Sequence, residues 1–156
     1  MGITTASLFI LDRIFQDSYA FNLIHIVIFL VFFISTFVLE AKYVLFQEKV
    51  DTNIIVGSIV LYILLALIWT FIYLLIMLLI PESFVGLESL PWQTNFSDLY
   101  YFSFVTITTL GYGDIIPNNP IAEFFVVTES VTGVFYMAIV VSSLVSANLH
   151  HLNKNK

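Results

Sequence analysis

Residues 106–117 read TITTLGYGDIIP, with two glycines, an aspartate and four hydroxyl side chains counting Tyr112, between stretches apolar enough to cross a bilayer. The chain around them has 156 residues, is 60% hydrophobic and 10% charged, and carries 16 phenylalanines, which is the composition of a membrane protein. Irregular, polar backbone at membrane depth survives only when it is buried in protein or lines water. How this one segment is housed therefore decides the fold.

Two long apolar runs precede it, Tyr19 to Leu39 and Asn53 to Ile80, the second ending at Pro81. A third, Ile121 to Leu149, follows it and contains Glu123, Glu129 and Gly133, so it suits a span that faces protein on one side. Each exceeds the roughly 20 residues a helix needs to cross. Between the second and third, residues 81–96 (PESFVGLESLPWQTNF) form a polar loop with Trp92 as an interfacial anchor. Ser97 is then a candidate N-cap, Asp98 sits in the first turn, and the helix runs to Thr108, too short to cross, so the segment enters and returns. Residues 1–18 place Ile3, Leu8, Ile10, Leu11, Ile14 and Phe15 on one helical face opposite Asp12 and Arg13, as an interfacial helix would.

The expected architecture is an all-α membrane protein with three transmembrane helices and a re-entrant helix. Its parts are an amphipathic helix 1–18, a first span 19–46, a loop 47–53, an outer helix 54–80, a loop 81–96, a short helix 97–108, an irregular segment 109–114, an inner helix 121–149 and a tail 150–156. Lys42, Lys49, Lys154 and Lys156 put residues 40–52 and the C-terminus in the cytoplasm, and the base-free stretch 81–120 outside. The N-terminus is then outside, and a plasma membrane is the expected location.

Eleven acids against five bases give a net charge of −6 with no basic patch, which argues against a nucleic-acid partner. Cysteine is absent, removing disulfides and thiol chemistry. No triad, metal cluster or phosphate loop supports an enzyme, and no cofactor is expected.

To pass a metal cation through a membrane, its water shell must be replaced by oxygens, and backbone carbonyls serve if they point to one axis. Backbone of alternating hand can aim them so, and Gly111 and Gly113 permit it. Thr109, Leu110, Gly111 and Tyr112 are the candidate carbonyl donors, with the Thr109 hydroxyl as the innermost ring. One strand cannot encircle an ion; four copies can, so a homotetramer embedded in lipid is expected.

TTLGYGD resembles the selectivity filter of tetrameric potassium channels, and SDLYYFSFVTITTLGYGDIIPNNP resembles their pore helix, filter and outer mouth. The resemblance continues through TESVTGVFYMAIVVSSLVS and covers about residues 54–149. It implies potassium ions held at Thr109, Leu110, Gly111, Tyr112 and Gly113, support from Tyr101, Thr108 and Asp114, a hinge at Gly133, and a cavity and gate lined by Val134, Met137, Val141 and Val145. Many family members have tryptophans at the positions of Tyr101 and Phe102. Phe102 has no donor, and Tyr101 is the candidate partner of Asp114. Val105 stands where some bacterial members place a glutamate.

A voltage sensor needs several arginines on one span, and Arg13 is alone in the chain. No room for a ligand-binding domain follows Leu149 in these residues. Glu129 is expected as a carboxyl, protonated and hydrogen-bonded to the pore helix, with a modulatory proton sensor as the lesser reading. His25 is expected neutral and packed. Asn95-Phe96-Ser97 fits a glycosylation sequon by chance more readily than by use. The alternative to a potassium channel is a non-conducting regulatory subunit that co-assembles with related chains.

Overall fold

The computed structural model describes residues 19–45, 52–87 and 92–154. The amphipathic segment 1–18, and the side chains of Val141 and Val145, lie outside the described residues.

Four helices account for most of the structure: α1 (Tyr19–Leu45), α2 (Thr52–Leu79), α3 (Trp92–Ile107) and α4 (Pro120–Lys154). Within them, Tyr19–Val44, Ile54–Leu79 and Pro120–Val140 are long and apolar enough to cross a membrane. In hydrocarbon, helix is the conformation that satisfies every backbone polar group within its own segment. Hydroxyls inside the apolar runs are satisfied in the same way: Ser35 donates to the Val31 carbonyl at 2.7 Å, Thr36 to Phe32 at 2.9 Å, and Thr128 to Phe124 at 2.7 Å. His25 Nδ1–H donates to the Phe21 carbonyl at 2.8 Å, and its ring lies 4.0 Å from the Phe21 ring.

α2 is the structural centre. Ala66, Trp69, Phe71, Tyr73 and Leu74 are buried on it, in one apolar core with Ile26 of α1, Leu99, Phe102 and Ile107 of α3, and Ala122 of α4. Phe71 stacks against Phe29 and Phe33 of α1 at 5.5 and 5.3 Å, which fixes α1 to the flank. The rest of α1 is largely uncovered, with Ile28, Phe32 and Leu39 exposed.

α3 starts at Trp92, ahead of the expected start at 97. Ser97 is not an N-cap. It lies inside the helix, where its hydroxyl donates to the Thr94 carbonyl at 3.4 Å. The earlier start follows from tertiary contacts: Trp92 Nε1 donates to Asn22 Oδ1 of α1 at 3.1 Å, Asn95 is buried, and Phe96 packs on Phe71 at 5.6 Å. Asn95 is buried at 1% exposure, which leaves no room for a glycan on it in the folded chain.

A two-stranded antiparallel ribbon joins the loops on either side of α3. β1 (Phe84–Val85) pairs with β2 (Ile116–Pro117), in register Phe84 with Pro117 and Val85 with Ile116. Asn118 reinforces it, its amide donating to the Ser83 carbonyl at 2.8 Å and its side chain to the Glu82 carbonyl at 3.0 Å. Gly86 passes so close that a Cβ there would strike the Asp114 carbonyl oxygen. α4 is then capped by Asn119, whose Oδ1 accepts from the Ala122 amide at 2.9 Å, with Pro120 at the first helical position.

Candidate functional site

The site grows out of the C-terminal end of α3. The Leu110 amide donates to the Val105 carbonyl at 2.9 Å and the Thr109 amide to Thr106 at 2.9 Å, the paired bonds of a Schellman ending. That ending needs a left-handed residue, and Thr109 supplies it with φ of 59°. Glycine is the usual choice there, because a left-handed residue with a Cβ costs about 1–2 kcal/mol. A β-branched residue held in this conformation is a genuine outlier.

Left-handed backbone then recurs at alternate positions, at Gly111 (φ 57°) and Gly113 (φ 79°), while Leu110 and Tyr112 between them keep negative φ. The Gly111 amide is also turned back onto the Val105 carbonyl, at 3.2 Å. Backbone that alternates hand in this way turns successive amides to one side and successive carbonyls to the other. A Cβ at Gly111 or Gly113 would meet nothing within 4 Å, so conformation rather than space calls for glycine at both. The whole segment is open: Leu110 is 56% and Tyr112 66% exposed.

Around it, the Tyr112 ring stacks nearly parallel to Tyr101, 7° apart at 6.4 Å. The Asp114 carboxylate near the Tyr101 hydroxyl raises the phenol above its ordinary range. Thr108 returns its hydroxyl to the Phe104 carbonyl at 2.6 Å. Phe102 faces the other way, packed edge-on to Phe84 at 5.6 Å and against Tyr73 at 5.4 Å.

Behind α3 lies Glu129, fully buried. Tyr73 of α2 donates its hydroxyl to Glu129 Oε2. Ser103 of α3 sits 2.5 Å from Oε1, and also 2.8 Å from the Ala66 carbonyl of α2. One turn further, Gly133 is packed against the end of α3: a Cβ there would collide with the Ile107 carbonyl oxygen and lie 2.8 Å from Ile107 Cγ1. The helix runs unbroken through Gly133, so the structure gives this glycine a close-contact role. Tyr62 of α2 donates to the same Ile107 carbonyl at 3.0 Å, and Tyr136 of α4 donates to the Ser58 carbonyl. Val134 and Met137 are 55% and 49% exposed, on the face of α4 turned away from this packing.

Sequence reasoning missed Tyr73, Ser103 and Tyr62 as partners. One signal could have found them: a hydroxyl inside an apolar run needs an acceptor, and those not bonded one turn back must cross to another helix.

Known potassium channels resemble the chain in sequence. The chain is 32% identical to two-pore potassium channel 4 of Arabidopsis thaliana over a match covering 50% of the chain and 31% of that protein. It is 38% identical to the inward rectifier potassium channel Kirbac3.1 of Paramagnetospirillum magnetotacticum, covering 31% and 16%, and 40% identical to two pore potassium channel c of Oryza sativa subsp. japonica, covering 32% and 11%. The chain thus spans less than a third of the length of each of these curated relatives. No solved structure matches it significantly. A family model described as an ion channel matches residues 54–149, which take in α2, the whole open segment and the buried glutamate, and the chain belongs to that ion channel family.

Proposed function

We propose that four copies of the chain surround residues 109–113 and form a potassium-selective channel that conducts passively. The observation that carries this reading is the alternation of left-handed φ at Thr109, Gly111 and Gly113 on an uncovered face. Carbonyl oxygens of residues 109–112, turned to one side, give a bare potassium ion the oxygen shell it loses, and the ion is cargo rather than a resident cofactor. A single chain leaves that shell three-quarters open. Self-assembly closes it, and the exposed Val134 and Met137 then face the central cavity.

Potassium appears in the names of three relatives, which supports the choice of ion. Tyr101, Thr108 and Asp114 support the segment from outside. The lysine distribution favours the mouth outside the cell membrane and the C-terminal end of α4 in the cytoplasm, with α1 toward lipid. A gate at Val141 and Val145 continues the face of Val134 and Met137.

The test is reconstitution of the purified chain in a planar bilayer under unequal potassium and sodium gradients. A reversal potential near the potassium value is expected. A value near that of sodium overturns the reading, and current only after adding a related channel chain makes this a regulatory subunit.

A further inference from the structure

We propose that Glu129 is held as the neutral acid and is a positioning residue for residues 108–114, donating its own proton to Ser103. The argument is a count of protons. Three close oxygen–oxygen contacts run in a row: Tyr73 hydroxyl to Glu129 Oε2, Glu129 Oε1 to Ser103 Oγ at 2.5 Å, and Ser103 Oγ to the Ala66 carbonyl at 2.8 Å. Each needs a proton between its oxygens, or the lone pairs repel. The Ala66 carbonyl can only accept, and the two hydroxyls bring one proton each. The third comes from the carboxyl group. Ser103 then donates to Ala66 and accepts from Glu129, while Tyr73 donates to Oε2, and every contact is satisfied.

The surroundings agree. The titratable groups facing Glu129 are the phenols Tyr73 and Tyr62 of α2, and α3 presents the Ser103 hydroxyl. On α4 itself Tyr136 is engaged with the Ser58 carbonyl and Glu123 is exposed. Among the described residues no lysine, arginine or histidine meets the carboxyl, and an unpaired carboxylate in such a place is costly.

The positioning role follows from register. Glu129 and Gly133 are one turn apart on α4, and they meet Ser103 and Ile107, one turn apart on α3. The inner helix thus holds the short helix at two successive turns, immediately before the Schellman ending that starts the alternating segment. Loss of the upper contact lets α3 shift relative to α4 and moves residues 108–114 with it.

Glu129→Gln keeps the arrangement, since its amide N–H donates to Ser103 and its oxygen accepts from Tyr73; Glu129→Ala removes both. Infrared spectra of the purified protein at neutral pH should show a protonated-carboxyl stretch that is missing in Glu129→Gln and displaced in Ser103→Ala. A spectrum unchanged by Glu129→Gln overturns the neutral acid, and a band unmoved by Ser103→Ala overturns the donation. In bilayers, Glu129→Ala should lower the potassium-to-sodium permeability ratio about tenfold, as loss of a buried hydrogen bond would, with Glu129→Gln close to wild type. An unchanged ratio in Glu129→Ala, or an equal loss in Glu129→Gln, overturns the positioning role. The bilayer arm rests on the reading of residues 109–113 as a potassium filter. The infrared arm does not, so the two can fail separately.

Discussion

The two ends of the contact between α3 and its surroundings differ in one respect: the back is finished and the front is not. Behind α3, Ser103, Glu129, Tyr73 and Ala66 satisfy one another with every oxygen used, and Gly133 lies against Ile107 without room for a methyl group. In front, residues 109–113 hold a costly backbone conformation with open space beside both glycines. In the proposed assembly, the other copies cover this surface. The back is packed within one chain, whereas the front is open in one chain.

The largest expected effect comes from the front. Gly111→Ala or Gly113→Ala forces a Cβ into left-handed backbone at about 1–2 kcal/mol per chain, repeated in every copy of the proposed ring. Potassium selectivity should collapse in bilayer reversal potentials while the chain still inserts and folds. Retained selectivity would show that the alternation is incidental.

At the back, Gly133→Ala distinguishes close contact from a hinge by sign. A Cβ driven into the Ile107 carbonyl should destabilise the folded chain by about 1–3 kcal/mol, read as a lower Tm in detergent. A glycine that served only to bend the helix would instead gain up to about 1 kcal/mol on becoming alanine. A raised Tm therefore removes the close-contact role.

Tyr73→Phe should cost about 1–3 kcal/mol by stranding an acceptor on buried Glu129, measured by the same thermal scan. An unshifted Tm would mean that the Glu129 side chain turns to another donor.

The smallest effect belongs to Tyr101→Phe at the mouth. It removes the hydroxyl next to Asp114 and should speed the decay of current during sustained opening, with conduction intact. Because the folded phenol lies above its ordinary value of about 10, its interaction with Asp114 is fully present below that pH and is lost as pH rises through the raised value. Decay in wild type should therefore accelerate only in strongly alkaline solution, and Tyr101→Phe should abolish that dependence. Identical decay in both proteins would leave the stacked ring, rather than its hydroxyl, as the support.

The front was more legible in the sequence than the back, for a physical reason. Gly111 and Gly113 advertise a backbone requirement in their own identity, and three apolar runs announce helices by length. Thr109 shares the same left-handed conformation yet looks like an ordinary strand or helix residue, so only coordinates reveal it. Glu129 stood out as a charge in an apolar run, but Tyr73 and Ser103 lie 56 and 26 residues away along the chain, where no local pattern links them. The start of α3 was misplaced because Ser97 and Asp98 make a good cap locally, while the contact from Trp92 to Asn22 is tertiary. Two-residue strands carry no periodicity to detect.

The β1–β2 ribbon has a consequence for how this chain can vary. It sews together the neck of a loop that contains all of α3 and the open segment, from Phe84 to Pro117. Slack added between the two strands, inside the loop, leaves the neck in register. An inserted residue within 84–85 instead slips the pairing by one and turns Val85 and Ile116 to opposite faces. Length is thus negotiable on the inner side of the seam and forbidden in it, and pulling on residues 82–86 is mechanically the same act as pulling on residues 114–118.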